Sequence, residues 1–142
     1  MTDKELWRLM DSLATSEQSL ERDTTFMLLL KQAYDEDRKL IMACLYDPMR
    51  PGMAHQGYME AMGKRMLVCF TSKKRAKQAD YNTTWDIAKA RDLMNNMFNK
   101  EAIAGMVFNP NDKNMVIILK ELLLLLMPGE KPKPEFYSVD FA

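Results

Sequence analysis

Apolar residues near the start of the chain recur at helical spacing. Leu6, Leu9, Met10 and Leu13 follow the i, i+3, i+4, i+7 pattern of a helix with one buried stripe. Thr2 and Glu5 in front of them form the Thr-x-x-Glu capping box that starts such a helix. Thr15–Gln18 breaks the stripe, and a second helix is expected within residues 17–34, with its apolar positions densest over Phe26–Tyr34. The period then changes. KLIMACLY (39–46) and Arg65–Phe70 are apolar runs without polar alternation, as in strands covered on both faces. Between them DPMRPGMAHQG (47–57) holds two prolines and two glycines and predicts a loop. Thr71 or Ser72 can cap a short helix reaching about Gln78. Tyr81–Trp85 reads as extended. Asp86 is placed to cap a helix in which Ile87, Ala90, Leu93, Met94, Met97 and Phe98 share one face. IAGMVFN (103–109) and MVIIL (115–119) predict a third and a fourth strand, and Lys120–Met127 a last helix stopped by Pro128 and Gly129. Too little chain separates Val107 from Ile117 for a helical crossover, so that pair should be antiparallel. The expected fold is α+β, a mixed sheet of about four strands flanked by helices on both faces, with two N-terminal helices. The single domain is expected over 1–128. Residues 129–142 read as an extended tail, in which the alternation of Tyr137, Val139 and Phe141 can add an edge strand.

Charge changes this picture locally rather than globally. Lys+Arg and Asp+Glu number 20 each in 142 residues. Residues 1–37, however, hold nine acidic and four basic residues, a net of −5, and residues 61–80 hold six basic residues and one acid, a net of +5. The two segments can attract one another across the fold, or either can face a partner. Cys44 and Cys69 each lie inside an apolar run, where a thiol behaves as a small hydrophobe. No Cys-x-x-Cys or Cys/His cluster is present, so the sequence suggests neither a metal site, nor a cofactor, nor a disulfide framework. The first residues are acidic and amphipathic, unlike a signal peptide. The apolar run Met115–Met127 is interrupted by Lys120 and Glu121 and too short to span a bilayer. A reducing cytoplasm is the expected location.

Two short motifs stand out. One is the strand end and helix start CFTSKKRA, with Phe70, Thr71, Ser72 and Ala76; the other is Gly105, Asn109 and Pro110 at the close of IAGMVFNP. In physical terms Thr71 and Ser72 are helix caps, and Gly105 lets a neighbouring chain come close. Asn109, preceding a proline, should be held extended and can bond the following turn. Together, with an apolar strand before them (Leu40–Leu45) and a Leu-rich helix after them (Leu119–Met127), these motifs resemble the SseB protein N-terminal domain family over roughly residues 20–128. The resemblance implies a small bacterial α/β domain whose biochemical role is open, and it supplies no catalytic residues to carry over. The chain departs from that family at Lys73, Lys74 and Arg75, where members often carry acidic or polar residues, and in ending with Lys131–Ala142 where members have a second domain.

Three lysine and arginine residues in the first turn of a helix oppose its dipole. Thr71, Ser72, Lys73, Lys74 and Arg75 therefore form a candidate site for a small phosphorylated or carboxylated ligand, with amides, hydroxyls and cations together. No basic stripe interleaved with aromatics accompanies them, which speaks against nucleic acid. His55, the single histidine, lies in the Pro/Gly loop without a partner visible in sequence. A Ser72–His55 or Cys69–His55 pairing would be needed for acid–base or nucleophilic chemistry. The leading expectation is accordingly a non-enzymatic protein-interaction module. Met49, Met53, Met59 and Met62 form one candidate contact surface, because Met side chains adapt to partners. Phe136, Tyr137 and Phe141 form another. Neither the partner nor the oligomeric state can be read from the sequence.

Overall fold

A computed structural model describes residues 1–46, 49, 54–79 and 84–133. Within them the chain runs α1 (Asp3–Ala14), α2 (Leu20–Asp35), β1 (Lys39–Tyr46), β2 (Ala54–Gln56), β3 (Tyr58–Ala61), β4 (Lys64–Phe70), α3 (Lys73–Gln78), β5 (Thr84–Lys89), α4 (Ala90–Asn99), β6 (Ile103–Phe108), β7 (Val116–Leu119) and α5 (Lys120–Leu126). The fold is α+β with one mixed sheet, as expected, but the sheet has seven strands rather than about four.

The additional strands lie where the sequence has no apolar run. β1 and β4 pair antiparallel only at Ile41–Phe70 and Met42–Cys69, then diverge. The wedge between them is filled by β2 on β1 and β3 on β4, with Gly57 donating to Ala43 and accepting from Val68 at the crossing. The end of the expected 47–57 loop is therefore strand, held by backbone bonds rather than by apolar side chains. β5 pairs along β1 from Lys39–Lys89 to Cys44–Thr84. Asp86 and Ile87 belong to this strand, so Asp86 does not cap the next helix, and α4 starts at Ala90 without a side-chain cap. Pairing with β1 overrides the helical spacing that Ile87 shares with Ala90. β4 and β6 run parallel, and β6–β7 are antiparallel with Val107 opposite Ile117, as the short connection requires. Residues 134–142 lie outside the described part of the chain, and with them the proposed edge strand.

Strand alternation divides the core into two faces. Leu40, Met42, Cys44, Leu67, Cys69, Met106 and Phe108 point to one, where α1, α2, α4 and α5 pack; Phe26 of α2 meets Phe108 edge-on at 4.8 Å. Ile41, Ala43, Val68 and Phe70 point to the other, covered by Ala76 of α3, Trp7 and Trp85. Helices thus flank both faces, unequally. The capping box of Thr2 and Glu5 is formed. Within α1, Leu6 and Met10 are buried, but Leu9 is 46% exposed and the stripe turns toward Trp7 and Ala14 instead. At Gly105 a Cβ would lie 2.2 Å from the Ile118 carbonyl oxygen, so the close approach expected there is that of β7.

Candidate functional site at the β4–α3 junction

Parallel pairing of β4 with β6 brings the two sequence motifs side by side. Cys69 stands opposite Phe108, where β6 ends, and β4 ends one residue later at Phe70. Asn109 takes φ 58°, left-handed rather than the extended conformation expected before proline. Asn is among the few residues that tolerate this region, and here the conformation is held by bonds. Its backbone N–H donates to the Cys69 carbonyl at 3.0 Å. Its side-chain Oδ1 accepts from the Thr71 N–H at 3.1 Å, and its Nδ2 donates to Thr71 Oγ1 at 2.9 Å. Both residues are buried. Thr71, expected as a helix cap, is instead half of this clamp. Ser72 is the cap: its Oγ accepts from the Arg75 N–H at 3.1 Å and opens α3.

The clamp continues into α1. Thr71 Oγ1 donates to Asp11 Oδ1 at 2.5 Å, and the same oxygen receives Arg75 Nε at 2.6 Å. The other end of the Arg75 guanidinium reaches Asp112 Oδ2, in the β6–β7 turn, at 2.8 Å. Arg75 therefore ties three parts of the chain together with a planar fork that a lysine could not reproduce. One cation of the 73–75 cluster is thus spent inside the protein, on the acidic N-terminal segment. The other two differ. Lys73 is exposed, with Nζ 5.9 Å from the Trp7 ring and 6.0 Å from the Trp85 ring, a cation–π position. Lys74 is exposed and lines neither of the clefts beside it.

Two clefts flank the clamp. One, of about 330 Å³, lies between α3 and the β6–β7 turn, lined by Phe70, Arg75, Gln78 and Ala79 on one side and Asn109–Asp112, including Pro110, on the other. The second, of about 320 Å³, lies between α1 and the β4–α3 junction, lined by Lys4, Trp7, Arg8, Asp11, Thr71, Ser72 and Lys73. Trp7 is fixed there by its indole N–H, which donates to the Lys39 carbonyl at 2.8 Å. Among the described residues Lys4, Arg8 and Lys73 make no ion pair. The cleft's carboxylate, Asp11, is already engaged by Arg75. Sequence reasoning named Lys73 and missed Lys4, Trp7 and Arg8. Their i, i+3 and i+4 spacing from Lys4 was visible, but the acidic balance of residues 1–37 concealed a basic patch within it.

The other predicted residues are scattered. Ala76 is buried against the second core. Met59 is half-buried on that core, while Met49 and Met62 are exposed, Met62 beside Ile117, Leu119 and Leu122 near the β7 edge. Met53, Phe136, Tyr137 and Phe141 lie outside the described residues, as does the side chain of His55. Cys69 is buried, and desolvation pushes its thiol far above the ordinary range, away from a reactive thiolate. Among the described residues no group of three His, Cys, Asp or Glu is placed to hold a metal, and no helix is long and apolar enough to cross a membrane. In comparisons with known proteins, no family model, no curated protein and no solved structure matches this chain.

Proposed function

We propose that this chain is a binding module of the SseB N-terminal type, bacterial and cytoplasmic, that recognises anionic groups in the cleft between α1 and the β4–α3 junction. The observation that carries the reading is the set of three cations, Lys4, Arg8 and Lys73, lining one cleft with Trp7 and without an acidic partner among the described residues. Lys4 and Arg8 are like charges at i, i+4, a destabilising pair. Lys4 and Lys73 each stand in the first turn of a helix, against its dipole. Local rules broken together at one place, offset inside the fold only by the contact of Lys73 with two indole rings, are characteristic of surfaces built for a ligand. The resemblance to the SseB domain accompanies this reading, since the two motifs behind it form the clamp under the cleft.

Titration with inorganic phosphate and with citrate, followed by backbone amide NMR, tests the proposal. Shifts concentrated at Lys4–Arg8 and Thr71–Lys73 are expected at millimolar ligand. Their absence there, or an even spread over all surface lysines, would sink it. A second reading places a protein contact at the exposed Met62, which neighbours Leu122 in a cleft of about 280 Å³ at the β7 edge. Replacing Met62 and Leu122 with Ser and repeating a pull-down tests it; unchanged partner recovery would count against this surface.

A further inference from the structure

We infer that the occupant of the α1–α3 cleft is an acidic peptide segment of a partner protein that carries an aromatic side chain; this rests on the anion-binding reading above and narrows it. A compact phosphate is held by convergent amides or by an arginine fork. At the junction, two of the amides and the Arg75 fork are already used. The Thr71 N–H goes to Asn109, the Arg75 N–H goes to Ser72, and the Arg75 fork goes to Asp11 and Asp112. What remains facing the cleft is a rim of separate charges on exposed side chains from two elements, Lys4 and Arg8 on α1 and Lys73 on α3. Charges set apart match carboxylates set apart along an extended chain, and such complementarity guides association and fixes register.

The floor adds the second half of the specificity. Trp7 is held rigid by its bond to Lys39, half-buried, with one side toward the cleft. A fixed indole ringed by polar groups is the usual form of an interface anchor. The cleft, about 320 Å³, is at the small end of ligand cavities and has room for an aromatic ring beside Trp7. Asp11 would repel an acidic visitor if it stood alone, but Arg75 at 2.6 Å, shared with Asp112, offsets part of its charge, and Lys4, Arg8 and Lys73 outnumber it. The cleft therefore presents net positive charge around an aromatic surface.

Trp7 and Trp85 are the two tryptophans of the chain, so Trp85→Phe leaves Trp7 as a single fluorescent reporter in the cleft. Three probes are compared: the blocked peptide Glu-Asp-Phe-Glu-Asp, the same peptide with Ala for Phe, and inorganic phosphate. Calorimetric titration of the unaltered chain repeats the comparison, so a poorly folding Trp85 variant does not decide it. The Phe peptide is expected to saturate the signal, the Ala peptide to bind roughly tenfold or more weakly, and Lys4→Gln with Arg8→Gln to weaken the Phe peptide further, with binding falling as salt rises. Equal binding of both peptides, or phosphate binding as tight as the peptide, would overturn the aromatic acidic segment and leave the anion reading standing. No binding by any of the three would overturn both.

Discussion

Asn109 spends both ends of its carboxamide on one residue, Thr71, while its own backbone stands at φ 58°. Two separable costs follow if it is replaced. Asn109→Gly keeps the left-handed turn but leaves the buried Thr71 N–H unpaired, which should cost about 1–3 kcal/mol. Asn109→Ala adds a Cβ in the left-handed region and should cost about 1 kcal/mol more. Urea unfolding of the two variants reads the difference, and equal midpoints would show that the conformation carries no strain. Gly105 makes a harsher case. A Cβ 2.2 Å from the Ile118 carbonyl oxygen forces β6 and β7 apart, because the obstacle is backbone and cannot rotate away. Gly105→Ala should lose about 3 kcal/mol or more, seen as a large drop in thermal midpoint; a drop of a degree or two would mean that the strands separate freely. Each of these residues was conspicuous in the sequence as a Gly or Asn in a strand end. What each one touches was not, since Thr71 is 38 residues from Asn109 and only the parallel pairing of β4 with β6 joins them.

Elements with an apolar run, an apolar stripe or a cap of their own were legible: β1, β4, β6 and β7, the capped α1 and α3, and the Leu-rich α5. The strands that were missed borrow their stability. β2 and β3 lie in the wedge where β1 and β4 diverge, and the sequence AHQGYMEA carries no pattern that announces it. The sequence reads as extended up to Trp85 and as a helix start from Asp86, because Ile87 falls in phase with Ala90 and Leu93; six paired positions on β1 outweigh that phase and carry β5 on to Lys89. The turn joining β3 to β4 illustrates the same point. Met62 and Gly63 both have positive φ, 56° and 71°, the requirement of the two-residue turn that best matches strand twist. Gly meets it without strain and Met does not. Met62→Asn should therefore stabilise the hairpin by about 1 kcal/mol, measurable as a higher urea midpoint. If Met62 is also a contact residue, the same variant should recover less partner, and the two effects of opposite sign would locate a function at a strained turn. A lower midpoint would instead assign Met62 a packing role that its 69% exposure does not suggest.

Over the whole molecule, the opposed charges of residues 1–37 and 61–80 meet where Arg75 reaches Asp11, the one ion pair between them among the described residues. Lys4 and Arg8 belong to the acidic segment yet face Lys73 of the basic one across the same cleft. The acid of α1 that lines this cleft, Asp11, is the one that takes up the internal pairing. Stability can distinguish a patch that the fold needs from one that it merely bears. If these cations serve a ligand, Lys4→Gln with Arg8→Gln should leave the unliganded protein as stable or raise its stability by about 0.3–1 kcal/mol at low salt, by relieving the i, i+4 repulsion and the dipole clash. The gain should fade toward 1 M salt, where the screening length falls to about 3 Å. Lys73→Gln should behave differently, since it also gives up its place over two indole rings, worth about 0.5–1 kcal/mol at an exposed site. Urea midpoints at both ionic strengths separate these terms. A loss of stability from the Lys4 and Arg8 pair that salt does not alter would show that the fold itself holds these side chains, and the cleft would then lose its claim on a partner.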